Sequence, residues 1–502
     1  MSDVLIGFAN VFSLPTFLIL VVGVFGGIII GALPGLTSTM GVALLLPLTY
    51  GMEAETGLVM LIGIYCGAIY GGSISACLLN TPGTPASAAT SLDGYPMAKR
   101  GEGARALTIS TICSALGGLV SGVLLICIAP QIATVALKFG ATEFFALSVF
   151  GLCMIVSMST GAVAKGLCAG FLGILLATVG LDDITNTTRF TFGNSELVTG
   201  FQLIPAMIGL FAISQVFLRI EDPSHGTVAK QQKYSAIPSK SDAKIMLKTS
   251  LWSGIIGTII GAIPGTGGDI AAFVNYNIAK RTSKHPEKFG TGCPEGIAAS
   301  ESANNGTTGG TLIPLLTLSV PGDSTTAVLL GAFTLQGLQT GPLLFTMHRD
   351  LIDTIFVGFM CANVLLLILG LSLMRFYVKT LSVKDWFITP AILVLCVVGS
   401  YAINKSLFDV LVMFCFGLIG FFFTKLGVPL SPVVLAFILT PLAEKNFRRA
   451  LLISAGDYSV FFSRPITVVL FIVAIFFLVL PSIKPMLDWF KKRSQAKKSE
   501  EV

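Results

Sequence analysis

Apolar residues follow one another along this chain in long unbroken stretches, such as residues 17–30, 144–156 and 468–480. A helix that crosses a bilayer needs about 20 such residues, whereas the strands of a membrane barrel alternate apolar and polar positions over about ten. The stretches recur from near the N-terminus almost to the end of the chain. The pattern therefore predicts an all-α polytopic membrane protein with about 10–12 transmembrane segments, plus broken or re-entrant hairpins.

The composition supports a membrane protein and excludes a soluble one. Of the 502 residues, 53% are hydrophobic and only 12% are charged, which is about half the charged fraction of soluble domains. The net charge of +6 comes mainly from short loops and the C-terminal end, where membrane topology places basic residues, so nucleic-acid binding is not expected. The ten cysteines include no C-x-x-C pair, and neither disulfides nor zinc are predicted.

Basic residues occur in clusters, and each cluster predicts a cytoplasmic loop or tail by the positive-inside rule. The main clusters begin at Lys99, Arg219, Lys280, Arg375 and Lys484. We predict a cytoplasmic linker at residues 219–248 and a cytoplasmic tail at residues 483–502. Residues 1–218 and 249–482 are then two membrane units.

Two short motifs occur twice and predict an internal repeat. Gly-Ala-Leu-Pro-Gly at 31–35 matches Gly-Ala-Ile-Pro-Gly at 261–265, and Asn-Thr-Pro-Gly-Thr at 80–84 matches Ser-Val-Pro-Gly-Asp at 319–323. The first broken stretch has acidic flanks and the second has basic flanks, so the two units should have opposite orientations. A Pro-Gly pair can mark a simple kink, but interruptions matched between two halves are typical of transporters that bind substrate where the halves meet.

We name the interruptions break 1 (residues 33–38), break 2 (80–84), break 3 (263–266) and break 4 (319–324). Proline removes a backbone donor, and glycine tolerates the dihedral angles of a break. Non-helical backbone inside a membrane must be packed in protein or line an aqueous cavity, so the four breaks should face one another. The helix that begins after each break offers free N–H groups and a positive dipole end, which suits a carboxylate.

The predicted substrate-binding residues are those of the four breaks that offer peptide groups, hydroxyls or amides. They are Leu33, Pro34, Gly35, Thr37, Ser38, Asn80, Thr81, Pro82, Gly83, Thr84, Pro264, Gly265, Thr266, Ser319, Val320, Pro321, Gly322, Asp323 and Ser324. The segments around the breaks contain no lysine or arginine, so no side-chain cation from these segments can neutralise a bound polyanion. Small cations are therefore expected to enter with the substrate.

Glu301, Asn304 and Asn305 are predicted to hold or stabilise the coupling ion, because hard cations prefer oxygen ligands. Glu301 and Asn305 are four residues apart and would share a helix face. A hydrogen bond between helices is the alternative role of the two asparagines. No resident cofactor is predicted.

Catalytic motifs are weak in this sequence, and the chain is not predicted to be an enzyme. The three histidines lack ligand spacing, and neither H-E-x-x-H nor a phosphate-binding loop occurs. Gly267-Gly268-Asp269 is similar to the G-x-G-D motif of intramembrane aspartyl proteases, but position 266 is threonine. A passive anion channel and a membrane enzyme or scaffold are the alternatives to a transporter.

Two longer motifs carry a family resemblance. The first is Asn-Thr-Pro-Gly-Thr-Pro-Ala-Ser-Ala-Ala-Thr-Ser-Leu-Asp-Gly-Tyr-Pro-Met-Ala at residues 80–98, and the second is Glu-Ser-Ala-Asn-Asn at 301–305 with Leu-Ile-Pro-Leu-Leu-Thr-Leu at 312–318. Both resemble the large membrane subunit of tripartite tricarboxylate transporters, the TctA family. Asp269 and Asp323 depart from the family pattern, and such carboxylates would repel a polyanion unless a cation or proton covers them.

The resemblance implies a secondary active transporter of the bacterial inner membrane that imports tri- or dicarboxylates such as citrate. It further implies two partners, a small membrane subunit of about four helices and a periplasmic substrate-binding protein. An ion gradient would drive uptake, with sodium as the expected coupling ion and a proton as the alternative.

Overall fold

The computed structural model describes residues 2–81, 83–157, 163–182, 184–221, 240–381, 383 and 385–478. Within these residues, seven helices are long and apolar enough to cross a membrane, and five shorter helices are also apolar. The predicted all-α polytopic membrane class is confirmed. The predicted site residue Pro82, most of the predicted linker and the predicted tail lie outside the described residues.

The described chain is almost entirely helical, with one short antiparallel strand pair, β1 (Gly180–Leu181) and β2 (Thr188–Arg189). The α-helices are α1 (Ser2–Val11), α2 (Leu14–Ala32), α3 (Ser38–Leu45), α4 (Ala54–Leu79), α5 (Ser87–Lys99), α6 (Gly103–Ala136), α7 (Ala141–Ser157), α8 (Val163–Ala177), α9 (Leu203–Met207), α10 (Ser214–Glu221), α11 (Lys240–Gly261), α12 (Gly267–Thr282), α13 (Pro294–Leu318), α14 (Ser324–Leu335), α15 (Leu344–Met347), α16 (Arg349–Ser372), α17 (Met374–Thr380), α18 (Asp385–Asn404), α19 (Leu407–Lys425), α20 (Ser431–Ile453), α21 (Val460–Ser463) and α22 (Pro465–Leu478). Short 3₁₀-helices cover Leu46–Thr49, Ser195–Leu197 and Pro286–Lys288, and a π-helix at Ile208–Ile213 joins α9 to α10.

The chain divides into two compact units. Unit 1 contains the residues up to Leu137 and Leu203–Phe421, and unit 2 contains Lys138–Gln202 and the described residues from Phe422 onward. Each unit therefore draws on both halves of the sequence. The predicted division into 1–218 and 249–482 concerns sequence repeats rather than compact units, and it stays a prediction.

Glycine lets two pairs of helices in unit 1 pack with their backbones in contact. A Cβ atom on Gly27 of α2 would lie 2.4 Å from the carbonyl oxygen of Ile64 in α4, and one on Gly257 of α11 would lie 2.4 Å from that of Ala303 in α13. Both positions therefore require glycine, as is common where membrane helices approach closely. Gly257 follows Gly27 by 230 positions and Ala303 follows Ile64 by 239, and the same two spacings separate the repeated motifs.

The matched breaks also share their backbone conformations. Asn80 and Ser319, which follow α4 and α13, both adopt the left-handed region with φ of 55° and 59°. Gly35 in break 1 and Gly265 in break 3 have φ of 78° and 83°. Positive φ is uncommon outside glycine, so the agreement at Asn80 and Ser319 is a specific local similarity.

Unit 2 is held together by an ion-pair network between its strand pair and α20. Arg448 lies 2.8 Å from both Asp182 and Glu444, and Arg189 lies 2.8 Å from Glu444. Hydrogen bonds from backbone N–H groups, first that of Thr185, hold the pKa of Asp182 well below its ordinary value. A cavity of about 370 Å³ in this unit is lined by residues of α7, α8 and α20, among others, and by none of the predicted site residues.

We expect Gly27→Ala to destabilise the protein, because the added methyl group would collide with the backbone of α4. Overpacking of this kind costs about 1–3 kcal/mol. The thermal unfolding midpoint of the detergent-purified chain measures the loss. Gly26→Ala is the matched control, since a Cβ there meets no described atom within 4 Å. An unchanged midpoint in Gly27→Ala would contradict the close packing of α2 on α4.

Candidate functional site

The four breaks come together inside unit 1. Break 1 meets break 4 through hydroxyls at the starts of α3 and α14: Ser38 Oγ and Thr39 Oγ1 each lie 3.0 Å from Thr325 Oγ1. Break 3 meets break 4 through the backbone, because the N–H of Gly265 donates to the carbonyl of Gly322 at 2.8 Å. Break 4 is therefore the common neighbour of breaks 1 and 3.

Break 2 completes the group. The N–H of Gly83 donates to the carbonyl of Gly72 at 3.3 Å, and a Cβ on Gly83 would lie 2.4 Å from the carbonyl oxygen of Gly31, near the end of α2. On its other side, the Cβ of Ala86 lies 3.5 Å from where a Cβ on Gly268 would stand, at the start of α12. Break 2 thus adjoins the helix before break 1 and the helix after break 3.

At the starts of two of the helices that follow the breaks, a hydroxyl of the break accepts a backbone N–H. Thr37 accepts a hydrogen bond from the N–H of Met40 at 3.3 Å, at the start of α3. Ser87, at the start of α5, donates its N–H to Thr84 Oγ1 at 3.4 Å, and its own hydroxyl accepts from the N–H of Thr84 at 3.2 Å. The sequence predicts that N–H groups at these helix starts bind a substrate carboxylate. In the structure, the hydroxyls already accept two of them.

The start of α14 is capped by a carboxylate of the chain itself. Asp323 Oδ1 accepts from the backbone N–H and the hydroxyl of Thr326, each at 2.7 Å, which forms a capping box. Its Oδ2 accepts from the hydroxyl of Tyr65 at 2.7 Å, and that hydroxyl lies 3.0 Å from Thr311 Oγ1. The positive end of the α14 dipole therefore faces a negative charge that belongs to the protein.

The start of α12 differs from those of α3 and α14. Thr266 makes no side-chain cap there, and its hydroxyl donates back to the carbonyl of Ile263 at 2.9 Å. Asn304 of α13 faces this helix end: a Cβ on Gly268 would lie 2.5 Å from Asn304 Oδ1. Asn304 is fully buried, and among the described residues neither its Oδ1 nor its Nδ2 has a hydrogen-bond partner. An amide buried without partners is costly, so this position favours a ligand-binding role.

Glu301 lies at a junction of four helices. Its carboxylate is fully buried and accepts hydrogen bonds from the hydroxyls of Ser73 in α4 at 2.5 Å, Thr90 in α5, and Ser114 in α6 at 2.7 Å. Buried carboxylates are tolerated only when donors of this kind surround them. Glu301 therefore ties α13 to three helices of the first half of the chain.

The residues predicted to hold the coupling ion have different neighbours. Asn304 faces the start of α12, whereas the carboxylate of Glu301 meets the hydroxyls just described. Asn305 donates its Nδ2 to the carbonyl of Glu301 at 3.2 Å, and its Oδ1 has no partner among the described residues. No group of three or more His, Cys, Asp or Glu side chains suited to a metal ion occurs in the described part of the chain.

Arg219 is a residue of the site that the sequence reasoning missed. It lies in the last turn of α10, is 8% exposed, and donates from Nη2 to the carbonyl of Pro34 in break 1 at 2.5 Å. The broken segments themselves lack bases, as predicted, but α10 supplies a guanidinium to one of them. The available signal was a lone arginine at the end of an apolar helix, which the topology argument assigned to the cytoplasmic linker.

The other predicted site residues differ in exposure. Asn80 and Thr81 are exposed, and Ser319 is half-buried with its hydroxyl donating to the carbonyl of Thr340 at 2.7 Å. Most of the remainder pack into the interior; the buried ones are Leu33, Ser38, Gly83, Thr84, Pro264, Gly265, Val320, Pro321 and Gly322. The side chains open to a solute are thus concentrated at break 2.

Asp93, within the motif at 80–98, fastens break 2 to the second half of the chain. It is fully buried in α5, and its Oδ1 accepts from the N–H groups of Gly290 at 2.9 Å and of Gly292 and Cys293 at 2.8 Å. Its Oδ2 accepts from the hydroxyl of Tyr276 in α12 at 2.9 Å. Asp93 therefore holds the loop before α13 against α5.

Comparison with protein families identifies the family of this chain. The model of the tripartite tricarboxylate transporter TctA family matches residues 17–435. The chain belongs to this family. The resemblance of the motifs at 80–98 and 301–305 is thereby confirmed. TctA proteins are the large subunits of tripartite transporters, which implies a small membrane subunit and a binding protein, and they are transporter components rather than enzymes.

Two relatives from Agrobacterium vitis are similar to this TctA protein. One is named "Uncharacterized 52.8 kDa protein in TAR-I ttuC' 3'region" and is 40% identical over 97% of this chain and 98% of its own length. The other, "Uncharacterized protein in TAR-II ttuC' 3'region", is 38% identical over 46% of this chain and 97% of its own length. No solved structure matches the chain.

We expect Glu301→Ala to lower the stability of this TctA protein, because it removes the acceptor of three buried hydroxyls. Each lost hydrogen bond costs about 1 kcal/mol, so the variant should unfold at a clearly lower temperature. Glu196→Ala, an exposed carboxylate in unit 2, is the control. Equal midpoints for the two variants would mean that Glu301 does not hold the four helices together.

Proposed function

We propose that this chain imports tri- or dicarboxylates such as citrate by secondary active transport, with a cation as the coupled species. It would act as the large membrane subunit of a binding-protein-dependent system in the bacterial inner membrane. The observation that carries the proposal is the convergence of four interrupted segments in a TctA protein. Interrupted helices that meet in this way form the substrate sites of many secondary transporters.

The groups around the breaks suit a carboxylate. The amide of Asn80 and the hydroxyl of Thr81 are exposed at break 2, and Thr266, the residue before α12, makes no side-chain cap. Arg219 adds a full positive charge beside break 1. A helix N-terminus contributes only about half a unit of charge, so one arginine and one helix end do not balance a tricarboxylate. A coupled cation would supply the remaining charge.

The repeated packing supports alternating access by two related units of opposite orientation. The contacts Gly27–Ile64 and Gly257–Ala303 recur at the spacings of the repeated motifs, and the breaks share their backbone conformations. In such transporters one bundle moves as a rigid body against the other around the fixed site. We therefore propose that residues 1–218 and 249–482 are inverted repeats, served by a small membrane subunit and a periplasmic binding protein.

Uptake by reconstituted vesicles tests the proposal. Vesicles that contain the large and small membrane subunits should accumulate radiolabelled citrate when the binding protein and an inward sodium gradient are supplied, with a proton gradient tested in parallel. Asn80→Ala should reduce uptake by about tenfold or more, since a lost hydrogen bond to a charged group costs about 1.5–3 kcal/mol. Asn277→Ala is the matched control, because its exposed amide donates within α12 to the carbonyl of Phe273. Equal uptake without any gradient or binding protein would indicate a passive channel instead.

Arg219 allows a second test of the same site. We expect Arg219→Gln to raise the half-saturating citrate concentration by about tenfold, equivalent to about 1.4 kcal/mol of lost interaction. The expected cause is the loss of positive charge beside Pro34, so the effect should be larger for citrate than for a dicarboxylate. An equal rise in the half-saturating concentration of both substrates would indicate that Arg219 only supports the structure of break 1.

A further inference from the structure

Five exposed basic residues lie on the three elements that Asp93 holds together, and we name them the basic surface. They are Lys99 in the last turn of α5, Lys280 and Arg281 in the last turn of α12, and Lys284 and Lys288 in the loop before α13. Asp93 of α5 accepts hydrogen bonds from Tyr276 of α12 and from the N–H of Gly290 in that loop, each at 2.9 Å. Lys99 also lies over the ring of Tyr95, 4.9 Å from its centroid, which leaves its charge in place. The elements that carry the cations are therefore held side by side.

The basic surface is not neutralised by ion pairs. Among the ion pairs of the described residues, none includes any of the five cations. Two acids lie close to them in the sequence, and both have other partners. Glu287 Oε1 lies 3.3 Å from His285 Nδ1, and Glu295 accepts from the hydroxyl of Ser283 at 2.6 Å. Like charges gathered without counter-charges repel one another, so the basic surface favours an anion from outside the chain.

The outer face of α12 next to the basic surface is apolar. Its side chains Phe273, Val274 and Ile278 are exposed, whereas the opposite face of the helix is buried. Asn277, the polar residue of the outer face, donates its amide back to the carbonyl of Phe273 at 2.9 Å. Val274, Ile278 and Arg281 follow one another at spacings of four and three residues, so they share one face and span about 10 Å. An apolar stripe that ends in a cation matches the acyl chain and the phosphate of a phospholipid.

We propose that the basic surface and the outer face of α12 bind an anionic phospholipid of the cytoplasmic leaflet. The lipid phosphate contacts Lys280 and Arg281. One acyl chain lies along Val274 and Ile278. Basic residues beside a membrane segment attract anionic lipids, and the positive-inside rule assigns the cluster that begins at Lys280 to the cytoplasmic side. A zwitterionic lipid would leave the charge of the surface uncompensated, and a soluble anion would leave the apolar stripe uncovered. Binding requires neither a substrate nor a coupled cation, so the site goes beyond the proposed function.

The test is lipid binding by the detergent-purified full chain. The chain is mixed with equal amounts of phosphatidylglycerol and phosphatidylcholine that carry the same acyl chains, and native mass spectrometry counts the bound molecules of each. The wild type should retain phosphatidylglycerol preferentially. The double variant Lys280→Gln/Arg281→Gln should raise the dissociation constant of phosphatidylglycerol by about tenfold or more, because each base near a membrane surface strengthens the attraction of anionic lipids. Lys445→Gln/Arg449→Gln, which removes two exposed bases of α20 in unit 2, is the matched control and should bind as the wild type does.

A second variant tests the apolar half of the site. Ile278→Gln keeps every charge but places a polar side chain on the stripe, so it should also weaken phosphatidylglycerol binding. Both Ile278 and the mutated bases are exposed, and an unchanged thermal unfolding midpoint shows that each variant is folded.

Four results would overturn the proposal. They are equal retention of the two lipids by the wild type, wild-type affinity in either folded variant, an equal loss of affinity in the control, and displacement of the lipid by an equal concentration of glycerol phosphate. The control result would mean that the overall charge of the chain attracts the lipid. Displacement by glycerol phosphate would assign the basic surface to a soluble anion instead.

Discussion

A peptide group that leaves a helix inside an apolar interior must find a hydrogen-bond partner within the protein, because no solvent is available to replace it. Unit 1 meets this requirement by letting the interrupted segments satisfy one another and their neighbouring helices. Gly265 donates to Gly322, and Gly83 donates to Gly72. Contact of break 3 with break 4, and of break 2 with α4, is thus part of how their peptide groups are satisfied.

Close helix packing makes this pairing possible. Glycine at positions 27 and 257 lets α2 and α11 approach the backbones of α4 and α13, and the breaks follow directly at the ends of these helices. Bulkier residues would separate the helices and move break 1 away from break 2 and break 3 away from break 4. Glycine stands at positions separated by the spacing of the repeated motifs, so both halves of the chain share the same close helix packing.

Side-chain hydrogen bonds distinguish the helix starts that follow the breaks. Thr37 and Asp323 cap the starts of α3 and α14, and Thr84 accepts the first N–H of α5, whereas Thr266 makes no side-chain cap at α12, which faces the amide of Asn304 instead. The four breaks are similar in sequence, because each contains a Pro-Gly pair flanked by hydroxyl residues. The caps are local contacts across three residues, whereas the amide that faces α12 comes from a distant segment. The site is therefore asymmetric although its parts are repeated.

Local signals in the sequence were sufficient for the fold class, the location of the breaks and the family. Apolar run length, Pro-Gly interruptions and the motifs at 80–98 and 301–305 all act over short distances along the chain. Arg219 could not be placed in the same way, because its partner Pro34 lies 185 positions earlier. The hydroxyl donors around Glu301 could not be predicted for the same reason, since they come from distant segments. The cap of α14 is a local contact between Asp323 and Thr326, but the hydrogen bond from Tyr65 to Asp323 again depends on packing between distant segments.

The hydrogen bonds of Asp93 limit which elements of unit 1 can separate. One carboxylate holds α5, the loop before α13 and Tyr276 of α12 through four hydrogen bonds, all at 2.9 Å or less. Separating these elements would strand a buried charge without its donors, which is energetically prohibitive. These elements are therefore expected to stay together, and any conformational change within unit 1 has to occur along another boundary.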